Sequence, residues 1–340
     1  MNIKTFAKNN WFGLVSLIVS LIILYIFLLT FGGWRAFVAS VAGMDFFWLA
    51  ATVACVFLFW LTDGIILHLY IKTKYKEHRF VSTFKTTAIG FLYNCLTPFA
   101  SGGQPMQVYD MAKGGVDAGD AASYITVKSI VYQICLTVFA VVSAIFTLRF
   151  FNENIPHFIW FFAVGIAVNA AFVAAAFVII VNKAAATKLG MFFLKILVRL
   201  RIVKNKEKAV DSLNKHISLF NESFQAIYQK KWLLASSFLV TLIQLALYYS
   251  LPYFIYRGFH LSGGAFGLMV SAQAILTLIT AFFPMPGSSG AVETGFYFFF
   301  EMFFAYDAIM PAMIIWRMLT YYLCIIGGGA VSLLGMVKRK

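Results

Sequence analysis

Two stretches decide the reading of this chain: Thr97–Pro105, TPFASGGQP, and Pro284–Glu293, PMPGSSGAVE. Each is a Pro/Gly break inside an otherwise apolar segment, and their leading prolines, Pro98 and Pro284, stand 186 positions apart in 340 residues. In hydrocarbon every backbone polar group must find a partner, so a broken helix is tolerated only where it faces protein or a wet cavity. Paired breaks in corresponding halves of a polytopic chain point to the central site of a transporter. The helix-break candidates are Pro98, Gly102, Gly103 and Pro105 in the first stretch and Pro284, Pro286, Gly287 and Gly290 in the second.

Outward from the breaks the chain is overwhelmingly apolar. Hydrophobic residues make up 61% and charged residues 12%, with a mean hydropathy of +0.84; a soluble domain carries about 25% charged residues. This composition specifies an all-α polytopic membrane protein. Apolar helices are expected at about 11–31, 45–71, 120–148, 158–181, 232–256 and 308–335, each near the ~20 residues that cross a bilayer. Two further apolar segments, 80–113 and 265–306, carry the breaks. The first span follows Lys4 and Lys8 without a small-residue cleavage site, which makes it a signal anchor rather than a removed peptide.

Charge sets the orientation. Segments 1–10, 72–85, 183–231 and 338–340 hold 21 of the 27 Lys and Arg, whereas the alternate loops offer only Arg35, Arg149 and Arg257. The positive-inside rule then puts both termini in the cytoplasm, expected to be that of a bacterial cell, across its plasma membrane. Segment 80–113 must return to the cytoplasm and segment 265–306 to the outside. The expected architecture is therefore about six full transmembrane helices plus two opposed re-entrant helical hairpins in an inverted-repeat-like arrangement; the alternative is that either segment spans fully, which would flip everything after it. A single domain over 1–340 would comprise a first half, 1–181, a cytoplasmic amphipathic linker, 182–231, and a second half, 232–340. Two apolar stripes run along the linker, one through Leu189, Phe193, Ile196, Leu197 and Leu200, the other through Val210, Leu213, Ile217, Phe220, Phe224 and Ile227. Both read as helices lying on the inner leaflet, either capturing anionic lipid or simply joining the halves.

Ionisable and amide side chains at membrane depth are costly, so each is a functional candidate. A helix starting near Gln104 would carry Gln107, Asp110 and Lys113 on one stripe, its free N–H groups suited to a phosphate; a solvated hairpin tip is the plainer alternative. Glu293, in the first turn after the second break, reads as a helix cap or as a cation or proton site. Arg317 sits inside an apolar helix and needs a buried partner or a phosphate, Glu293 being the natural partner. Lys128 either snorkels to the inner interface or binds substrate. Asp63 and His68 do not share a helical face and are read as carrying no proton relay. Asn169, Gln244 and Gln273 read as interhelical hydrogen-bonding residues. The cysteines and histidines are scattered, giving no metal site, and no phosphate-binding glycine loop implies a nucleotide cofactor. The net charge of +14 lies at membrane borders without a nucleic-acid motif, so no nucleic-acid partner is expected.

At TPFASGGQPMQ (97–107), PMPGSSGAVETGF (284–296), WRMLTYY (316–322) and the glycine run from Gly327, the chain resembles the membrane region of lysylphosphatidylglycerol synthase, the multiple peptide resistance factor, which also occurs as stand-alone flippase-like proteins. The resemblance implies a domain that moves phospholipid, above all lysyl-phosphatidylglycerol, from the inner to the outer leaflet, with a part in antibiotic resistance. In the full-length relatives a separate soluble domain transfers lysine from lysyl-tRNA; the residues up to Lys340 are expected to hold none. By position, the family pattern points to Pro98, Gly102, Gly103, Pro284, Gly287, Gly290, Glu293 and Arg317. Where many relatives carry an acid and then an arginine after the first break, this chain has Gln104, Pro105 and Gln107. Membrane phospholipids are the expected partners, with a lipid-modifying synthase and a homodimer as further ones. An intramembrane lipid transferase and a non-catalytic partner of a synthase stand as alternatives to the flippase.

Overall fold

The first break folds the chain back on itself. The computed structural model describes Tyr25, residues 34–182, 206–281 and 283–337, and isolated positions between 184 and 195. A short helix α1 (Trp34–Ala42) precedes α2 (Phe46–Ile71), whose start is capped by the Asp45 carboxylate accepting from the Phe47 N–H at 2.8 Å. Helix α3 (Phe80–Leu96) then ends at Thr97, Pro98–Ala100 form one 3₁₀ turn, and α4 (Gly103–Lys113) returns antiparallel to α3. The Gly103 N–H donates to Asn94 Oδ1 at 3.0 Å and the Gly102 N–H to Thr97 Oγ1 at 2.8 Å, satisfying amides that the break would leave open. Farther from the tip, Asp110 accepts from Lys85 at 2.7 Å and Thr86 at 2.8 Å.

Gly103 makes this reversal possible. A Cβ at position 103 would collide with the Asn94 side chain and stand 2.5 Å from the Gly90 carbonyl oxygen, an atom of the backbone that cannot move aside. Gly103→Ala is expected to destabilise the protein by about 1–3 kcal/mol, the usual range for overpacking, read as a lowered Tm in detergent. An unchanged Tm would mean that the two arms separate at no cost.

The second half repeats the device. Long helices α5 (Ala118–Asn154) and α6 (Phe158–Val181), an amphipathic α7 (Lys206–Gln229), and the consecutive α8 (Lys231–Tyr249) and α9 (Leu251–Gly258) lead to α10 (Phe266–Thr280). A 3₁₀ turn at Pro286–Ser288 follows, and then α11 (Ala291–Phe300), which lies back against α10 with Gly295 facing Leu276. Helix α12 (Tyr306–Arg317) continues through a π turn at Met318–Tyr322 into α13 (Leu323–Val337).

The register of the repeat is finer than the prolines alone suggest. The two 3₁₀ turns (98 and 286), the returning arms (103 and 291) and the helices after them (118 and 306) all start 188 positions apart, so Pro98 matches Pro286 rather than Pro284. Each turn holds two successive left-handed residues, Phe99 (φ 56°) and Ala100 (φ 49°) in one, Gly287 (φ 56°) and Ser288 (φ 52°) in the other. At the same shift α2 corresponds to α8 and α9, and these counterparts run antiparallel. The Asp45 N–H donates to the Gly258 carbonyl at 2.9 Å at one end, and the Phe59 and Tyr248 rings meet at 5.3 Å in the middle. Helix α3 packs along α13 while its counterpart α10 packs along α5, and the two 3₁₀ tips touch. Such a reciprocal exchange of contacts is what a two-fold relation demands; with antiparallel counterparts, the repeats are inverted.

Among the described residues the secondary structure is helical, without strands. Five helical stretches are long and apolar enough to cross a membrane: Phe46–Ile71, Ala118–Asn154, Phe158–Val178, Lys231–Gly258 and Tyr306–Ser332. They coincide with five of the six expected spans; the sixth, 11–31, lies outside the described residues except for Tyr25. The four hairpin arms hold 17, 11, 15 and 10 residues. At 1.5 Å per residue they reach about 15–26 Å, short of the ~30 Å hydrocarbon core. In the linker α7 packs on α5, and of its expected apolar stripe Ile227 is buried in the core with Phe224 packed against it. The stripe from Leu189 to Leu200 falls on positions outside the described residues, as do residues 196–205.

Candidate functional site

Between the first hairpin and the long helices lies a cavity of about 580 Å³, within the range of small-molecule sites. Helix α2 supplies Phe59 and Asp63, α5 supplies Lys128, Tyr132 and Gln133, and α8 supplies Gln244. The hairpin supplies Asn94, Gln104 and Gln107 from its arms and Phe99–Ser101 from its tip. Two adjacent left-handed residues without glycine are strained backbone, and here they form part of the cavity wall.

Among the described residues, Asp63 and Lys128 are the cavity's only charged lining residues. Their side chains meet at 2.7 Å, both largely removed from solvent, and the Gln244 amide stands 3.5 Å from the second Asp63 oxygen. Removing one member of such a pair would strand a charge, whereas the intact pair leaves the chamber neutral. Gln133 donates to the Asn169 side chain, and Asn169 donates onward to the Leu278 carbonyl at 3.2 Å, tying α5, α6 and α10 together. Asn169 thus makes the interhelical bond its sequence context implies.

Of the residues selected from sequence, Gln104, Gln107 and Lys128 line this cavity; Asp110, Lys113, Glu293 and Arg317 do not. Asp110 is engaged by Lys85 and Thr86 within the hairpin, and Lys113 lies over the Tyr109 ring at 4.5 Å. Glu293 and Arg317 form a separate centre behind the second break. Arg317 Nε donates to Glu293 Oε1 at 2.7 Å, and its Nη2 donates to the Gly287 carbonyl at 3.0 Å and Ser289 Oγ at 3.1 Å. The other Glu293 oxygen accepts the Gly290 N–H at 2.7 Å, and the guanidinium stacks 4.6 Å from the Tyr321 ring centroid. Both side chains are buried, with 5% and 7% of their surface exposed. Glu293 is at once the helix cap and the partner of the arginine. Gly287 has no side chain because a Cβ there would run into the Tyr321 ring, and its φ of 56° favours glycine.

Of the break residues, Pro98, Gly102, Gly103 and Pro105 build the first tip, and Pro284, Pro286, Gly287 and Gly290 the second. Sequence reasoning missed Asp63, which it tested only against His68 on its own helix. The signal available was its cost: a carboxylate inside a 26-residue apolar helix requires a cation from another element.

A third polar centre anchors α7. Asp120 is fully buried and accepts from Lys74 at 2.7 Å, Tyr75 at 2.5 Å and Ser223 at 2.5 Å, so one carboxylate joins the basic loop, α5 and α7. The hydrogen bond to Asp120 holds the Lys74 ammonium above its ordinary value. Burial, followed by that same carboxylate, raises the Tyr75 phenol.

Comparison with known proteins joins these observations to a family. The family model described as "Lysylphosphatidylglycerol synthase TM region" matches residues 13–328. A protein of Archaeoglobus fulgidus named "UPF0104 membrane protein" is 23% identical over 290 residues, 83% of this chain and 84% of that protein.

Proposed function

The chain belongs to the lysylphosphatidylglycerol synthase transmembrane-region family, and from that premise we propose that it is a lipid translocator whose headgroup path runs through the cavity around Asp63 and Lys128. The substrate is a phospholipid such as lysyl-phosphatidylglycerol, or another anionic or polyprenyl lipid. The observation that carries the reading is the cavity itself: amides and one ion pair lining a half-open chamber in an apolar helix bundle, beside two broken-helix tips that touch. A membrane protein bears the cost of such a chamber where something polar must enter it. In the proposed cycle the headgroup occupies the chamber while the acyl chains stay in lipid. The hairpins re-enter from opposite faces, both termini lie in the cytoplasm, and separation of the tips exposes the chamber to each leaflet in turn. The cycle belongs to a single domain of two inverted halves joined by the 182–231 linker.

The test is reconstitution of the full chain into liposomes carrying tail-labelled phosphatidylglycerol or, separately, lysyl-phosphatidylglycerol, followed by dithionite quenching. Translocation is expected to exceed that of empty vesicles by about tenfold, a barrier lowered by roughly 1.4 kcal/mol or more. Rates equal to empty vesicles with both lipids, together with chemical turnover of a lipid donor by the purified protein, would replace translocation with the transferase reading.

A further inference from the structure

The chamber's lining says more than that something polar enters. Its charges cancel within one ion pair, and what remains polar is five amides, Asn94, Gln104, Gln107, Gln133 and Gln244, the Tyr132 hydroxyl, and Ser101, Ser129 and Thr277, whose hydroxyls donate to carbonyls of their own segments. Aromatic rings from Phe59, Phe91, Phe99 and Phe172 share the same wall. Gln107 is the most telling of the amides. It is buried, with 5% of its surface exposed, yet makes no hydrogen bond to the described residues. Its amide is not among the fully enclosed polar atoms that lack a partner, so it meets the cavity. Gly90, facing it across the hairpin, makes this placement possible: any Cβ there would strike the Gln107 side chain. Tyr132 lines the same cavity, in electrostatic reach of Asp63 and Tyr248, and its hydroxyl likewise makes no hydrogen bond to the described residues.

Each primary amide offers two donors and an acceptor, and a phenol offers one of each. Groups that both give and receive hydrogen bonds match hydroxyls, which do the same. A phosphate or carboxylate uses donors only. It would leave the amide oxygens unanswered and would have to approach Lys128 beside the Asp63 carboxylate, 2.7 Å from the ammonium. Aromatic rings next to amides also suit the C–H faces of a sugar or polyol. We propose that the chamber selects a hydroxyl-rich, uncharged headgroup moiety, glycosyl or polyol, with Gln107, Gln104 and Tyr132 as its specificity-determining contacts. The proposal rests on the cavity being the headgroup path; within that reading it favours a glycosyl or polyol lipid over lysyl-phosphatidylglycerol, and it places any phosphate of the lipid outside the chamber.

The test measures binding separately from translocation. The full chain, purified in a detergent without a sugar headgroup, is incubated with equal amounts of glucosyl-diacylglycerol, phosphatidic acid and phosphatidylethanolamine of matched chains, and retained lipid is counted by native mass spectrometry. The glucosyl lipid is expected to be retained about tenfold over either phospholipid. Gln107→Leu and, with almost no change of volume, Tyr132→Phe are each expected to reduce that preference about three- to tenfold, the loss of one or two hydrogen bonds. Equal retention of all three lipids, retention favouring phosphatidic acid, or a preference unchanged in both variants would overturn the proposal. Because Tyr132→Phe removes one hydroxyl alone, a folding failure of the Gln107 variant leaves the test intact. A glucosyl lipid that binds selectively but is not moved in liposomes would uphold this assignment while removing the translocator reading.

Discussion

Arg317→Ala is expected to cost about 3–5 kcal/mol, the range for removing one partner of a buried ion pair. Against a total stability of roughly 5–15 kcal/mol, that is enough to leave much of the protein unfolded. The reason is the number of groups the guanidinium serves. Without it Glu293 keeps only the Gly290 N–H, the Gly287 carbonyl and Ser289 hydroxyl lose a charged donor, and the Tyr321 ring loses its cation. Thermal unfolding in detergent and the monodisperse fraction on size exclusion provide the measurement. Glu293→Gln keeps an acceptor for only one of the two donors and turns an N–H toward the other. It should still lose less than Arg317→Ala, because the guanidinium keeps its bonds to Gly287 and Ser289. If Arg317→Ala folds with wild-type Tm yet stops lipid movement, the pair contacts substrate rather than holding the second tip.

The Asp63–Lys128 pair is expected to behave differently. Lys128→Met alone leaves an uncompensated carboxylate and should destabilise by about 3 kcal/mol, and Asp63→Leu alone by a similar amount. The double variant, Asp63→Leu with Lys128→Met, removes both charges and should recover most of the wild-type Tm, since a well-packed apolar replacement of a buried pair is often neutral. In liposomes that folded double variant should translocate more slowly than the wild type, because an apolar patch replaces the ion pair among the chamber's amides. A double variant that folds and moves lipid at the wild-type rate would take this cavity off the lipid path.

Much of the scaffold was legible because the signals are local. Apolar runs near 20 residues mark five described spans, and Pro/Gly clusters mark the two turns, since a backbone break in an apolar segment leaves few other readings. The pairing of Glu293 with Arg317 was legible too: a buried arginine needs an acid, and few acids lie at membrane depth in that half. The cavity was less legible. Asp63 and Lys128 are 65 positions apart on different helices, and only their packing brings them together. The hairpin also divides its own residues. Gln104 and Gln107 reach the chamber, whereas Asp110, six and three positions onward, is taken by Lys85 and Thr86. Helical spacing puts these residues on a common stripe but does not say which neighbour claims each. The 188-residue register was hidden because Pro284 precedes Pro286 and draws the eye to the wrong proline.

The two tips, alike in backbone, are fastened unequally. Hydroxyl and amide side chains of Thr97 and Asn94 close the first, through two neutral hydrogen bonds that are worth about 0.5–1.5 kcal/mol each. The second is riveted by a guanidinium–carboxylate bond and its branches, each charge-assisted contact roughly twice as strong. An inverted repeat built from identical halves would rock with no preferred moving part. In the proposed cycle this one has a stator and a rotor: the second hairpin stays seated on α12, and the lower-cost motion falls to the first, whose tip already forms a wall of the chamber.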